Sequence, residues 1–218
     1  MSDEPQSSVK NFVRWLRKDR ALAMAGLHVL DLGCGNGKNS AHFAGLDSSN
    51  KIVGIDISET ALAYAREHNA GTQQVRYIHQ SIGERLPFPD AGFDIALDVT
   101  SSNSLNEKER TLFLTETHRV LKPGGYFFVR ALCKDADKNA QHLLKHNAGP
   151  EKDTYIMPDL GLVERVFSRK DFIETYTATS AGPDQFILLY LEKETHYSKV
   201  GDRLYKRHFW VAYLQKGL

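Results

Sequence analysis

A chain of 218 residues, 41% hydrophobic and 25% charged, is long enough for one domain with its own core and has an ordinary globular composition. Its net charge of +1 implies no broad basic surface, which argues against a duplex nucleic-acid binder. Two cysteines, Cys34 and Cys133, cannot build a disulfide framework and lack zinc-site spacing, so no metal is expected. The start, "MSDEPQSS", is polar and acidic without an apolar stretch of signal or membrane-spanning length, and a reducing, cytoplasmic setting is the expectation.

In chain order, Val9, Phe12, Val13 and Leu16 follow helical spacing with basic residues between them, predicting an amphipathic first helix capped by Ser7 or Ser8. "HVLDLGCG" reads as a buried strand running into a glycine turn, and "KNSAHFAGL" as a helix ending near Gly45. "KIVGIDIS" is a second strand. "SETALAYAREHNAG" is a helix capped by Ser58, with Ala61, Leu62 and Ala65 inward and Gly71 as its stop. "VRYIHQS" and "FDIALDVT" are the third and fourth strands. "EKERTLFLTETHRVL" is a helix closed by a "KPGG" turn, and "YFFVRALC" is a fifth strand. This alternation predicts a parallel sheet with helices on both faces. Beyond about residue 150 the pattern changes to a short helix, "SRKDFIETY". Two long strands, "QFILLYLEKETHY" and "RHFWVAYLQK", then form an antiparallel hairpin through "SKVGDRLYK". "HFWVAY" alternates as a half-buried strand would.

The stretch "VLDLGCGNGKNS" puts glycines at 33, 35 and 37 between a strand and a helix, where backbone amides can approach a ligand closely. The nicotinamide fingerprint G-x-G-x-x-G needs a glycine where this chain has Lys38, so the dinucleotide reading loses its helix-packing residue. Asp56 closes the second strand, where a carboxylate can accept from both hydroxyls of a ribose; the alternative is a cap for the helix at Ser58. Open parallel sheets bind ligands at the carboxyl ends of their strands, so Asp98 to Asn103 should lie near the chemistry. Asp98 is the catalytic candidate, against the alternative of a loop aspartate before "SLNEKER", where Ser104 and Asn106 are better caps.

"VLDLGCGNG", "VGIDIS", "LPFPDAGFDIALD" and "RVLKPGGYFFV", in this order over Val29 to Val129, resemble the class I S-adenosylmethionine-dependent methyltransferases, especially the small-molecule type. The resemblance implies a Rossmann-like, mostly parallel seven-stranded α/β sheet with an antiparallel C-terminal strand, in one domain. Residues 1–26 would be a helical lid, 27–131 the cofactor core, and 132–218 the acceptor side with its hairpin. It implies S-adenosyl-L-methionine as cofactor. Asp31 and Gly33, Cys34, Gly35 and Gly37 would wrap the methionine part, Asp56 would hold the ribose, and Ile57 would pack on the adenine. The family often has an aspartate near the end of the third strand for the adenine amino group. Here that place reads Ser81–Ile82, which leaves a hydroxyl and an apolar wall or backbone donor. Asp98 would contact the acceptor or the cofactor's amino group, and no proline-aromatic motif of the adenine-N6 enzymes follows it.

Methyl transfer is an in-line displacement that needs geometry more than a base. The resemblance to the small-molecule type implies a small-molecule acceptor, for a monomer or homodimer. Alternatives are an RNA or protein acceptor, kept open by Lys206, Arg207 and His208, and a non-catalytic cofactor-binding subunit. Among the remaining residues, His118 and His28 read as structural and His79 as a supporting residue near the site. His196, Tyr197, Arg130, Cys133 and Tyr155 are candidates for an acceptor pocket. Trp15 could cover the cofactor, although packing on the sheet with Phe12 and Leu16 explains it as well.

Overall fold

The computed structural model describes residues 4–158, 160–177, 186–200 and 203–218. Helix α1 (Ser7–Asp19) leads into β1 (His28–Leu32), α2 (Lys38–Ala44), β2 (Lys51–Asp56), α3 (Glu59–His68) and β3 (Val75–His79). Then come β4 (Phe93–Val99), a 3-10 turn at Ser102–Ser104, α4 (Glu107–Val120) and β5 (Leu121–Leu132). The remainder is α5 (Lys138–His146), β6 (Thr154–Ile156), β7 (Val163–Arg165), α6 (Arg169–Thr177), β8 (Phe186–Val200) and β9 (Arg203–Lys216). Seven strands form one sheet in the order β3-β2-β1-β4-β5-β9-β8, and β6 pairs with β7 apart from it. Strands β1 to β5 are parallel, β9 runs against β5, and β8 runs against β9. Because order reverses at β1, a crevice opens at the carboxyl ends of β1 and β4.

The sheet is covered on both faces, as the apolar runs require. On one face Leu30, Ile55, Phe127, Val129 and Trp210 pack with Phe113 of α4 and with Phe172 and Tyr176 of α6. On the other, Val29, Ile95, Phe128 and Tyr213 pack with Val9, Phe12 and Leu16 of α1 and with Phe43 of α2. No helix among the described residues is long and apolar enough to cross a membrane.

Several local expectations change. Helix α1 is entered at Gln6 without a side-chain cap, and the Gln6 N–H instead donates to Asn39 Oδ1 at 3.0 Å, so neither Ser7 nor Ser8 caps it. Ser58 does cap α3, accepting from the Ala61 N–H. The helix ends at Asn69, before Gly71, and Ala61 is only half-buried. "KPGG" is not a separate turn. It is a bulge inside β5, where the register jumps from Phe93↔Leu121 to Ile95↔Tyr126. "HFWVAY" is buried at every position, not every second one, because β9 is interior, between β5 and β8. The middle of the "SKVGDRLYK" connection, residues 201–202, lies outside the described residues. Helix α5 and the β6–β7 pair, absent from the sequence reading, occupy the segment between the fifth strand and the short helix.

Candidate cofactor and acceptor site

The glycine turn leaves β1 through two hydrogen bonds to the neighbouring strand, from Gly33 N–H and Cys34 N–H to Ile55 O at 2.8 and 2.9 Å. Gly33, Gly35 and Gly37 all have left-handed φ, at +71°, +53° and +75°. The space around them separates their roles. A Cβ on Gly33 would overlap Ser101 Cβ, and one on Gly37 would overlap the Tyr77 hydroxyl. A Cβ on Gly35 would meet no heavy atom within 4 Å. Two glycines thus let the protein pack on itself, and the middle one faces open space.

Asp56, half-buried at the end of β2, grips that middle glycine. Its Oδ2 accepts from Gly35 N–H at 2.7 Å and its Oδ1 from Ser58 N–H at 2.8 Å. Each oxygen keeps a second lone pair. The next residue, Ile57, is 70% exposed, a large apolar side chain with bare surface beside the acid. Its carbonyl accepts from His79 Nε2 at 2.8 Å, which ties the end of β3 to this corner. Ser81 Oγ accepts from Gly83 N–H at 3.1 Å, while Ile82 is buried in the core under the site. Behind the turn, Asp31 is buried and accepts from Ser40 Oγ at 2.6 Å; burial pushes its carboxyl up to about 6. The Cys34 thiol is also raised by burial, so it is an unreactive packing group.

Asp98 is completely buried. Its Oδ1 accepts from Ser101 N–H and Ser102 N–H at 3.1 Å each and from Ser101 Oγ at 2.6 Å, and Ser102 Oγ donates to Oδ2. Burial raises its pKa above the usual carboxylate value. It caps the 3-10 turn, while α4 has its own capping box from Asn106 and Glu109. Asp98 is thus a buried residue of β4 and not a loop aspartate before α4. Ser101 Oγ also lies 2.7 Å from Leu32 O, so Asp98 holds the post-β4 turn against the glycine turn. Thr100 between them has φ +60°, a strained conformation for a β-branched residue.

Of the other candidates, Trp15 packs on Tyr126 and Tyr213 with ring centroids at 5.9 and 5.0 Å, so it faces the sheet. His118 is buried against Phe186. Arg130 pairs with Glu194 at 3.0 Å, Tyr155 donates to Glu164 at 2.6 Å, and Cys133 is buried. His196 and Tyr197 are exposed on β8, opposite Arg207 and Lys206 of β9. The basic triplet does not form one patch. Lys206 is exposed, Arg207 contacts Tyr155 and Glu164, and His208 is buried with Nδ1 2.9 Å from Thr195 Oγ1. Sequence reasoning placed Ser101 near the chemistry but missed its contact with the glycine turn, and it missed Tyr77 and Tyr176. Each acts by contact with a distant turn, for which spacing gives no signal.

A sheet of this order with its next-to-edge strand reversed, opening on a glycine turn and a strand-end acid, is the architecture of the class I methyltransferases. Residues 29–125 match the family model described as a methyltransferase domain. A fatty-acid O-methyltransferase of Mycolicibacterium smegmatis is 38% identical over 104 residues, covering 47% of this chain and 36% of that enzyme. The curated relatives the chain matches are spanned for less than half of their length. A SAM-dependent methyltransferase structure from Methanosarcina mazei superimposes with TM-score 0.77 at 22% identity, covering 99% of both chains. The 1,6-didemethyltoxoflavin-N1-methyltransferase of Burkholderia thailandensis, solved with S-adenosylhomocysteine, gives 0.65 at 16% identity, covering 97% of this chain and 79% of that one. The match to a methyltransferase domain thus spans residues 29–125, less than half of the chain, while the fold of the whole chain is that of the SAM-dependent methyltransferase structure.

Proposed function

We propose that this protein methylates a nucleophilic O, N, S or C atom of a small organic metabolite, using S-adenosylmethionine. The observation that carries this is the open space at Gly35, floored by backbone and flanked by an acid with unused lone pairs and an exposed isoleucine. These residues fit the cofactor. Gly33 to Gly37 and Asp31 would border its amino-acid part, Asp56 its ribose hydroxyls, and Ile57 its adenine, with Ser81 and Ile82 standing where the family's usual acid is missing. The cofactor supplies an electrophilic methyl group on a sulfonium.

The protein's own part is positional. Asp98, completely buried and bonded through both oxygens to Ser101 and Ser102, is assigned as a positioning residue and not a general base, because a base must reach the proton it removes. By fixing Ser101 against Leu32 and Gly33 it sets the width of the crevice. Fatty-acid and didemethyltoxoflavin acceptors of the relatives support a small organic acceptor here. We further propose a monomer or homodimer without a nucleic-acid partner, in a reducing cytoplasmic compartment that suits two free, buried cysteines.

Calorimetric titration with S-adenosylhomocysteine and NAD tests the cofactor, and transfer of labelled methyl to a metabolite extract tests the reaction. Binding of NAD without S-adenosylhomocysteine would overturn the assignment. Tight cofactor binding with no labelled product across acceptor pools would favour a regulatory subunit.

A further inference from the structure

Among the described residues, Arg110, Arg130, Arg165 and Arg207 each bury an Nε that has no hydrogen-bond partner. Two of the four have a carboxylate elsewhere on the guanidinium: Arg130 reaches Glu194 at 3.0 Å, and Arg207 lies 3.7 Å from Glu164. Arg110 and Arg165 have none. Arg110 is 2% exposed, its Nη1 is also unpartnered, and its one side-chain hydrogen bond runs from Nη2 to Leu105 O. Arg165 makes no side-chain hydrogen bond among the described residues. Both guanidinium carbons face the Phe167 ring, 5.8 and 5.1 Å from its centroid, so two like charges share one buried aromatic.

Taking a guanidinium out of water without an anion is costly, and a buried unpaired donor adds to that cost. The nearby acids do not remove it. Asp98 is committed to its serines, and Glu151 accepts from Glu107 N–H with both oxygens, at 3.1 Å. A further unpartnered donor, Asn103 Nδ2, is buried on the 3-10 turn that packs on β7, while Asn103 Oδ1 accepts from Leu132 N–H. The same turn begins at Ser101, which sits on Gly33. Asn103 lies on the 3-10 turn, Arg110 bonds to Leu105 just after it, and Arg165 ends β7, which packs on it, so the unsatisfied donors border the segment that follows Ser101.

We propose that Arg110, Arg165 and Asn103 form a receptor for an oxyanion, a carboxylate or phosphate group carried by the methyl acceptor. Guanidinium forks match both groups in shape and charge, and a bound oxyanion would supply the acceptors these donors lack. The proposal rests on the methyltransferase reading and narrows it to anionic acceptors.

The test uses the whole chain saturated with S-adenosylhomocysteine at constant ionic strength, with thermal shift and calorimetry for benzoate, phenyl phosphate and the neutral benzamide. One or both anions should raise the melting temperature and benzamide should not; which anion acts separates a carboxylate source from a phosphate source. Arg165→Gln, at a half-buried position, should weaken the active anion by at least about tenfold and leave S-adenosylhomocysteine affinity unchanged. Arg110→Lys keeps a charge but loses the fork, and should weaken it as well. No anion effect on a wild-type protein that binds S-adenosylhomocysteine would overturn the receptor, as would full retention of the effect in Arg165→Gln. Failure of S-adenosylhomocysteine to bind wild type would instead overturn the methyltransferase reading, since the anion titrations can be repeated without it.

Discussion

Gly35→Ala separates ligand space from chain geometry. An L-residue at φ +53° costs about 1–2 kcal/mol, partly offset by the smaller entropy of the unfolded alanine chain, for a net loss near 1 kcal/mol. No clash adds to this, because the new methyl meets no heavy atom within 4 Å. For a chain of this length the melting temperature should fall by about 2–4 °C. With cofactor bound, however, the methyl would stand where the ligand packs, and overpacking costs roughly 1–3 kcal/mol. S-adenosylhomocysteine should therefore bind at least about tenfold more weakly by calorimetry. Gly33→Ala is the control: its methyl would overlap Ser101 Cβ, a backbone-anchored atom, so stability should fall by several times more. The partition of roles would be refuted by a folded Gly35→Ala protein with S-adenosylhomocysteine affinity within twofold of wild type. A stability loss as large as that of Gly33→Ala would refute it too.

Asp56→Asn leaves a single oxygen for the two backbone N–H groups of Gly35 and Ser58, so it should lose about 1 kcal/mol of stability. It should weaken S-adenosylhomocysteine about tenfold or more, with Asp56→Ala worse on both counts; normal affinity in the asparagine variant would remove the ribose assignment. Asp98→Ala leaves the Ser101 and Ser102 N–H groups without an acceptor in a buried turn, and denaturant melts should show a loss of about 2–4 kcal/mol; a loss under 0.5 kcal/mol would contradict its positioning role. Asp31 binds its proton in the folded state below about pH 6 but in the unfolded chain only below about 3.9, so this group adds stability as pH falls through 6 and withdraws it as pH rises. Comparing urea melts of wild type and Asp31→Asn at pH 4.5 and 7 should show the variant gaining relative to wild type at pH 7, by up to about 3 kcal/mol; equal differences at the two pH values would refute the shift.

What could be read from the sequence was local chemistry with period. The apolar runs of "HVLDL" and "KIVGID", the caps at Ser58 and Asn106, and the glycine spacing each declare themselves within a few residues. The division of labour among the three glycines was not legible, because it depends on Ser101 and Tyr77, which the fold brings from 68 and 40 positions away. Asp98 looked like a loop residue because burial on a strand end is decided by what packs over it, here Ser102 and Tyr176 of α6. Strands β6 and β7, at three residues each, are too short to carry alternation; Pro158 and Gly161 mark a break between them but not the strands on either side. "KPGG" did signal a break, but a bulge and a turn share the same residues, and only the pairing of Phe93 with Leu121 distinguishes them.

The reversed strand also has a consequence for how the molecule is made. Strand β5 is pinned to β4 on one side, and its other side, Tyr126 to Leu132, is paired only by Phe209 to Gln215 of β9. During synthesis more than seventy residues separate the emergence of β5 from that of its partner. Throughout that interval a run that is apolar on both faces presents an open row of backbone donors and acceptors, the kind of edge to which another nascent chain can add. Strand β9 thus closes the aggregation-prone edge of everything made before it, and a chain stopped short of β9 would carry its glycine turn and Asp56 intact yet keep that edge open.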